Sequence, residues 1–284
     1  MNSAVGAQRS DLIEESAVIN WLRSLPFFGV HGACLAVFWT GVSWRALVLC
    51  FAVYAIRMFG ITAGYHRYFS HRSYRTSRVF QFVLAWTGCS AVQKGPLWWA
   101  AHHRHHHQFS DQEGDVHSPL QSGFWWAHVG WILSDTYNAT PYESIRDFSK
   151  YPELVWLNRY WQVPGLFLAV GCLLAMGWQG LVWGFFISTV LLYHGTFFIN
   201  SLCHVFGSVR YRTRDTSRNS LILALITLGE GWHNNHHHYS TSARMGFFWW
   251  EIDMSYYTLR ALSLLGIVWD IKKPSARALE GGRA

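Results

Sequence analysis

The chain has 284 residues, of which 51% are hydrophobic, 17% aromatic and only 14% charged. An ordinary soluble protein has about 25% charged residues, so this composition counts against a soluble protein and excludes a disordered or fibrous one. A mean hydropathy of +0.08 argues against a chain that lies in the membrane throughout. The net charge of +7 is not gathered in a basic block, so we expect no nucleic-acid partner and favour anionic lipid or an acidic ligand.

The N-terminal part predicts a polar arm followed by a membrane hairpin. The arm, residues 1–26, is acidic and lacks the long apolar core of a secretory signal. The first apolar stretch covers residues 27–64 and is interrupted near Ser43. Each half is long enough for one membrane-spanning helix, so the stretch predicts two helices joined by a tight turn.

The rest of the chain repeats this order of a polar region and an apolar one. Residues 65–162 are polar apart from Val79–Val92, which is too short to span and predicts a buried or interfacial helix. A second apolar stretch, 163–200, is interrupted at Gly177 and predicts a second hairpin. Residues 201–284 form a polar C-terminal region.

Charge placement indicates which side of the membrane the polar regions occupy. Of the 23 Lys and Arg residues, only Arg45 and Arg57 fall inside the apolar stretches. Two hairpins put the other cations on one side, which the positive-inside rule makes cytoplasmic. The predicted fold is an all-α membrane protein with four transmembrane helices in two hairpins, capped by a cytoplasmic helical domain. We expect both termini on the cytoplasmic side of the bacterial inner membrane or the endoplasmic reticulum.

Most of the 16 histidines fall into three groups, two of which repeat the pattern His-x-x-His-His. The groups are His66 with His71, the run His102–His107, and the run His233–His238. Positions i, i+3 and i+4 share one helical face, so each repeat points three imidazoles into one volume. Neutral imidazole is the commonest metal ligand, and the number of rings exceeds the needs of one ion. The pattern therefore predicts a nitrogen-rich site for two metal ions in the cap.

Other histidines lie near the end of the second apolar stretch or away from the groups. His204 follows Asn200 by four residues, which predicts that both lie on one helical face directed toward the site. We interpret His31, His128 and His194 as structural.

The histidine groups and their flanks resemble the membrane fatty acyl desaturases, specifically the delta-9 acyl-CoA desaturase (stearoyl-CoA desaturase-like) type. The resemblance runs from about Phe27 to Pro274. Its motifs are Gly60–Tyr74, His103–Asp111, Asn200–His204, Asp215–Asn219, Gly229–His237 and the tail from Trp249 to Lys272.

The resemblance implies two iron ions, Fe2+ or Fe3+, held by nine histidines. One iron would take His66, His71, His103, His107 and His236. The other would take His106, His204, His233 and His237, with Asn200 reaching it through water. We expect hydrogen bonds from Glu230 or Asp111 to orient some of these rings. His102, His105, His117 and His238 match no family ligand.

The implied reaction introduces a cis double bond, at the delta-9 position by resemblance, into a saturated acyl chain. It uses O2 and two electrons from an external donor, a ferredoxin or a b-type cytochrome with its reductase. The cytoplasmic arginines, Arg72, Arg75 and Arg78 or Arg210, Arg212 and Arg214, are candidates for docking an acidic donor. The aromatic residues Trp98, Trp99, Trp125 and Trp126 are candidates for lining an acyl tunnel, and no substrate-binding residue is assigned.

One departure from the family leaves the acyl carrier open. The eukaryotic acyl-CoA enzymes have an Arg-Asp pair where this chain has Ala101 and His102. CoA, acyl carrier protein and a membrane glycerolipid all remain possible carriers. Alternative functions are a hydroxylase or alkane monooxygenase of the same superfamily, and a His-rich metal transporter. A transporter would place ionisable residues deep within its spans, where Arg57 is the only Lys, Arg, Asp or Glu of this chain.

Overall fold

The computed structural model describes residues 19–282, most of which are helical. The α-helices in this range are α1 (Trp21–Ala33), α2 (Val37–Thr40), α3 (Trp44–Phe59), α4 (Arg78–Ser90), α5 (Pro96–Phe109), α6 (Pro119–Ser122), α7 (Trp131–Leu133), α8 (Arg146–Ser149), α9 (Pro152–Arg159), α10 (Gln162–Gly180), α11 (Ser188–Asn200), α12 (Leu221–Ile226), α13 (His233–His238), α14 (Met254–Leu264) and α15 (Ala276–Glu280). Wider π-helical segments cover Gly60–Ser70, Trp126–Gly130 and Leu181–Ile187, and 3₁₀ turns cover Cys34–Ala36, Tyr142–Ile145 and Leu202–His204. Strands β1 (Arg75–Thr76) and β2 (Val268–Trp269) pair antiparallel.

Within the described range, three helical stretches are long and apolar enough to cross a membrane. They are Trp21–Thr40, Trp44–Ser70 and Gln162–His204. The first two are separated by a turn in which Gly41 has a φ of 67°, and Ser43 then caps α3 by accepting a hydrogen bond from the Ala46 amide. The predicted interruption near Ser43 is therefore a real chain reversal between two helices.

The third stretch, with 43 residues, is broken in its middle. Met176 has non-helical backbone angles, and Gly177 has a φ of 62°, a conformation that glycine adopts without strain. After this break the chain folds back on itself, because a Cβ on Gly180 would lie 2.2 Å from the carbonyl oxygen of Cys172. The break lies where the sequence predicts the turn of the second hairpin.

The two turns lie next to each other. Gln179 accepts a hydrogen bond from the Ser43 hydroxyl at 2.6 Å and donates one to the Thr40 carbonyl at 3.0 Å. The Trp183 indole also donates to the Gly41 carbonyl at 2.9 Å. These bonds join both turns at one end of the apolar bundle and leave the opposite helix ends to enter the polar cap.

Arg57 ties the apolar helices together from inside. Its guanidinium is buried and donates to the Ser188 and Thr189 hydroxyls at 2.5 and 2.7 Å. It also donates to the Ser90 carbonyl at 3.3 Å, at the end of α4. Arg57 therefore links three helices by satisfying polar groups that have no access to water.

The π-helical segment Gly60–Ser70 extends α3 and forms the floor of the cap. It crosses α4 closely, because a Cβ on Gly60 would lie 2.7 Å from the Gly88 amide nitrogen. Helix α4 contains most of the apolar segment Val79–Val92 and buries Leu84, Ala85 and Cys89 against this floor. The main hydrophobic core thus lies directly beneath the first histidine group.

The described part of the predicted N-terminal arm begins at residue 19. Residues 1–18 lie outside the described range, as do residues 283 and 284. Residue 19 bridges to Ser134, and the Asn20 amide donates to the Leu133 carbonyl at 2.9 Å, so the end of the arm contacts the cap. The segment boundaries at 26, 64, 162 and 200 stay predictions, since helix ends alone do not locate a membrane surface.

Replacing Arg57 by alanine removes the three hydrogen bonds and leaves a void between the apolar helices. We expect Arg57→Ala to lower the free energy of unfolding by about 2–4 kcal/mol. Thermal unfolding of the purified protein in detergent measures the change. Arg45→Ala is the control, because Arg45 is exposed. Equal midpoints for the two variants would contradict the bracing role of Arg57.

Candidate metal centre

Five histidines from three parts of the chain converge in one group. His66 and His71 come from the π-helical segment and its end, His103 and His107 from α5, and His236 from α13. One ring nitrogen of each lies within 4.8 Å of the others. His66 Nε2 and His236 Nε2 are 3.0 Å apart, and His71 Nε2 and His103 Nε2 are 2.9 Å apart. These five are the residues that the resemblance assigns to one iron.

Four further histidines form a second group beside the first. They are His106, His204, His233 and His237, whose ring nitrogens also lie within 4.8 Å of one another. His233 Nε2 and His204 Nε2 are 3.0 Å apart. The residues bring together the end of α5, the 3₁₀ turn after α11 and the start of α13.

Three rings of the second group are oriented by carboxylates through Nδ1. Asp115 pairs with His106 at 2.8 Å, Asp111 with His204 at 2.9 Å and Asp215 with His237 at 2.7 Å. Burial opposes the ionisation of these carboxyls, but the hydrogen bonds and charges of their histidine partners hold each pKa below its ordinary value. Each ionised carboxylate can therefore accept a hydrogen bond from the Nδ1–H group, which leaves Nε2 of that ring with its lone pair directed inward.

The donor set fits a metal ion. In the part of the chain that the structure describes, His106 Nε2 and His237 Nε2 are buried and have no hydrogen-bond partner. His204 directs its own Nε2 at that of His233. Inward-facing lone pairs repel one another unless a cation lies between them, and imidazole nitrogen suits iron, zinc, copper and nickel.

Burial also keeps the rings uncharged. It lowers the pKa of His103, His107 and His236 well below 6.5, and the neighbouring histidines lower it further. Burial lowers the pKa of His237 to about 4, although Asp215 opposes the shift. Neutral rings are the form that binds a metal, so the site is ready to bind near pH 7 without releasing many protons.

The first group is oriented by a buried ionic cluster. Glu230 contacts His66 Nδ1 and pairs with the Arg67 guanidinium at 2.8 Å. Arg67 also pairs with Asp253 at 3.1 Å. Burial raises the pKa of the Glu230 carboxyl, but the charges of His66 and Arg67 outweigh this and lower it. Glu230 and Asp111 thus each contact a predicted ligand, His66 and His204 respectively, and their orienting role stays a prediction.

His117 lies closer to the site than its sequence position indicates. It is buried, stacks on the His106 ring with centroids 4.1 Å apart, and forms a third potential metal-binding group with His106 and Asp115. The other histidines without a family match bond to carbonyl oxygens away from both groups: His102 to Ala139, His105 to Gly114 and His238 to Ala278.

Asn200 and His204 do not share one α-helical face. Helix α11 ends at Asn200, and His204 lies in the 3₁₀ turn that follows. The prediction of a single helix through both residues was wrong because the backbone changes pitch at Ser201. The tighter turn still delivers His204 to the second group, while Asn200 lines the adjacent cavity.

The histidines interpreted as structural form a hydrogen-bonded chain. His31 Nε2 lies 3.2 Å from His194 Nε2, and His194 Nδ1 lies 3.0 Å from His128 Nε2. His128 Nδ1 then meets the Ser201 hydroxyl at 2.9 Å. The chain links α1 to α11 and to the segment Trp126–Gly130.

A cavity of about 400 Å³ reaches the histidine groups from the side. Its inner wall contains Trp98, Trp99 and Trp131 together with His66 and His106. Trp99 also stacks on the His103 ring, with centroids 4.9 Å apart. The lining is mostly apolar, which suits a hydrocarbon chain.

Two of the four predicted tunnel residues do not line this cavity. Trp125 is 73% exposed, and Trp126 packs beside Trp98 and Trp131 and donates to the Val116 carbonyl at 3.2 Å. The cavity is lined instead by Trp98 and Trp99 of α5.

Comparison with known proteins identifies the family. A family model described as fatty acid desaturase matches residues 42–266, which is most of the chain. The chain belongs to the fatty acid desaturase family.

Individual desaturases are similar over nearly the whole chain. The chain is 37% identical to the sn-1 stearoyl-lipid 9-desaturase of Anabaena variabilis, over 89% of this chain and 94% of that protein. It is 36% identical to the acyl-CoA C20 delta5-desaturase of Anemone leveillei, over 92% of this chain and 88% of that protein. It is 37% identical to delta-9 acyl-lipid desaturase 2 of Arabidopsis thaliana, over 90% of this chain and 84% of that protein.

These relatives confirm the class of reaction predicted from the sequence. The chain is a fatty acyl desaturase, an oxidoreductase of lipid metabolism, with helices apolar enough for a membrane protein. The hydroxylase and transporter alternatives are not favoured, because the similar proteins are desaturases. The names of the relatives differ in acyl carrier and in double-bond position.

Asp115 and Asp215 have no role in the sequence-based prediction. Each holds a predicted ligand, but Asp215 lies 22 residues from His237, and only the folded chain brings the two together. Asp115 gives a weak local signal, since it is an acidic residue shortly after the second histidine group. Buried acids near histidine groups are therefore worth testing as partners of Nδ1.

We expect Asp115→Asn to weaken metal binding about 10–100-fold, because the amide no longer holds His106 with its lone pair inward. Metal titration of the purified protein, followed by elemental analysis, measures this effect. Glu113→Gln makes the same chemical change on an exposed side chain two residues away. Equal affinity of the two variants would refute the orienting role of Asp115.

Acid should remove the metal only at low pH. Because burial lowers the pKa of His237 to about 4, its ring stays neutral in the folded protein until the pH approaches that value. Unfolded histidine takes up protons below about pH 6.5, so acid favours metal-free, unfolded chains. We expect metal to be retained at pH 6 and lost near pH 4, measured as metal per chain after gel filtration. Loss of metal already at pH 6.5 would show that burial does not protect the rings from protonation.

Proposed function

We propose that the chain is an integral-membrane diiron desaturase that introduces a cis double bond at carbon 9 of a saturated acyl chain. The observation that carries this proposal is that two groups of clustered imidazoles lie beside an apolar cavity that several of the rings line. The relatives named as 9-desaturases support the position of the double bond.

We propose the two histidine groups as the ligands of the two irons. His66, His71, His103, His107 and His236 would hold one iron, and His106, His204, His233 and His237 the other, with Asn200 acting through water. Two irons bound there would supply the oxidising power, drawn from O2 and two electrons, that removing hydrogen from an unactivated methylene requires.

The protein itself positions the substrate and excludes water. The apolar wall around Trp98 and Trp99 accepts a hydrocarbon chain and keeps bulk solvent from the reacting carbons. Trp99 lines the cavity and stacks on the His103 ring, so it can hold both the acyl chain and that ring in position. Asp111, Asp115 and Asp215 keep their rings in one tautomer throughout turnover.

Four membrane crossings, in hairpins at 27–64 and 163–200, form the topology that we propose. The break at Met176 and Gly177 supports two crossings in the third apolar stretch. The hydrogen bond between the two turns supports placing both turns on the same side of the membrane, opposite the histidines. The positive-inside rule makes the side of the histidines and of both termini cytoplasmic.

The two electrons come, in this proposal, from a separate ferredoxin or b-type cytochrome. Arg72, Arg75 and Arg78 are each paired with a carboxylate, of Asp147, Asp270 and Glu153 respectively. Arg210 pairs with Glu251, whereas Arg212 and Arg214 are exposed. The exposed pair is therefore the better candidate for docking an acidic donor.

Loss of a ligand should abolish the reaction. We expect His106→Ala and His233→Ala to make no product that is two mass units lighter than the saturated substrate, in iron-loaded membranes supplied with reductant. His105→Ala is the matched control on the same helix, since its ring bonds to the Gly114 carbonyl instead. Full activity of either ligand variant would refute the ligand assignment, and a product sixteen units heavier would indicate a hydroxylase.

A further inference from the structure

The cavity opens at a polar rim. Four of its lining residues, Arg23, Asp135, Asn138 and Gln162, are exposed. Arg23 pairs with Asp135 at 2.9 Å, and Asp135 and Asn138 are joined by a backbone hydrogen bond of 3.1 Å. Lys94 donates to Asn138 at 2.5 Å and lies over the Trp161 ring, next to Gln162. These contacts form a continuous polar rim on the exposed side of the cavity, whereas the histidines that line it are mostly buried.

The rim lies where apolar helices begin. Arg23 is in the first turn of the stretch Trp21–Thr40, and Gln162 is the first residue of Gln162–His204. Leu22 and Leu25, which flank Arg23, are 80% and 60% exposed. Exposed leucines beside a charged residue at the start of a membrane-spanning helix place this opening at the lipid–water boundary. An acyl chain of a neighbouring lipid can therefore reach the cavity sideways.

The charges at the rim do not suit a CoA thioester. CoA brings several phosphate groups, which proteins bind with unpaired Arg or Lys side chains. At this rim Arg23 is already neutralised by Asp135, and the Lys94 ammonium is engaged by Asn138 and covered by the Trp98 and Trp161 rings. Because Asp135 pairs with Arg23, this rim offers no unpaired guanidinium to a phosphate at the entrance.

The same groups suit the uncharged ester region of a glycerolipid. Esters need only hydrogen-bond donors, and the side chains of Asn138 and Gln162 offer amide groups at the rim. The apolar acyl chain alone would enter the cavity, while the headgroup stays among the other headgroups at the membrane surface.

We propose that the substrate is an acyl chain esterified to a membrane glycerolipid, which enters laterally through the rim formed by Arg23, Lys94, Asp135, Asn138 and Gln162. This inference rests on the proposed desaturase function, and it selects one of the carriers that the sequence leaves open.

Photo-crosslinking tests the carrier independently of turnover. A stearoyl chain with a diazirine at its centre is supplied in two forms to metal-loaded protein in nanodiscs: as a phosphatidylglycerol within the disc and as a CoA thioester in solution. We expect the phosphatidylglycerol to label peptides of the cavity wall at least about tenfold more than the thioester at equal chain concentration, the difference that about 1.4 kcal/mol produces. Stronger labelling by the thioester would overturn the proposal.

A charge reversal at the rim tests whether the rim charges cause the preference for a glycerolipid over a CoA thioester. Asp135→Lys removes the carboxylate that pairs with Arg23 and adds a cation, so we expect thioester labelling to rise about threefold or more. Asp270→Lys makes the same change on an exposed cap residue that pairs with Arg75, and it should leave labelling unchanged. No rise in the Asp135 variant, when it binds metal like the unchanged protein, would refute the electrostatic argument.

Turnover of the two pools separates this inference from the proposed function. Isotopically distinct stearoyl chains are supplied as intact glycerolipid and as thioester, and both pools are analysed by mass. Desaturation of the glycerolipid first supports both proposals. Desaturation of the thioester alone refutes the carrier and leaves the desaturase intact, whereas crosslinking to the lipid without desaturation of either pool refutes the desaturase function only.

Discussion

The candidate metal centre depends on holding nine imidazoles with one nitrogen of each facing inward in a small volume. Each ring has two nitrogens, and it can offer a lone pair to the centre only if it is uncharged and carries its one N–H proton on the nitrogen that faces outward. Burial supplies the first condition by lowering the pKa of rings such as His103 and His236. Asp111, Asp115 and Asp215 supply the second for three rings of the second group.

Helix pitch determines which rings can meet, and here the sequence was only partly informative. The His-x-x-His-His spacing predicts a shared face on an α-helix, and α5 and α13 provide it. His66 and His71 are five residues apart, a separation that an α-helix does not place on one face. The segment that holds them is π-helical, and its His71 amide bonds to the His66 carbonyl at 3.2 Å. The local residue pattern gave no sign of this wider pitch.

Contacts between distant segments account for most of what could not be predicted. Composition and interruptions at Ser43 and Gly177 were enough to predict helical hairpins, because chain reversals in apolar stretches leave a local signal. The pairing of Asp215 with His237 leaves no local signal in the sequence, because it depends on how the loop before α12 packs against α13. Trp98 and Trp125 show the same limit: both are aromatic, yet only the fold determines that Trp98 faces the cavity.

The cavity connects the membrane with the polar cap, the two environments that the composition of the chain indicates. Its rim lies where Trp21–Thr40 and Gln162–His204 begin, and its inner end is formed by rings of both histidine groups. A hydrocarbon chain that leaves the bilayer at this level stays in contact with apolar side chains until it reaches His66 and His106. The metal-binding groups can therefore remain in the polar cap, where carboxylates orient them, while the substrate never has to expose its chain to water.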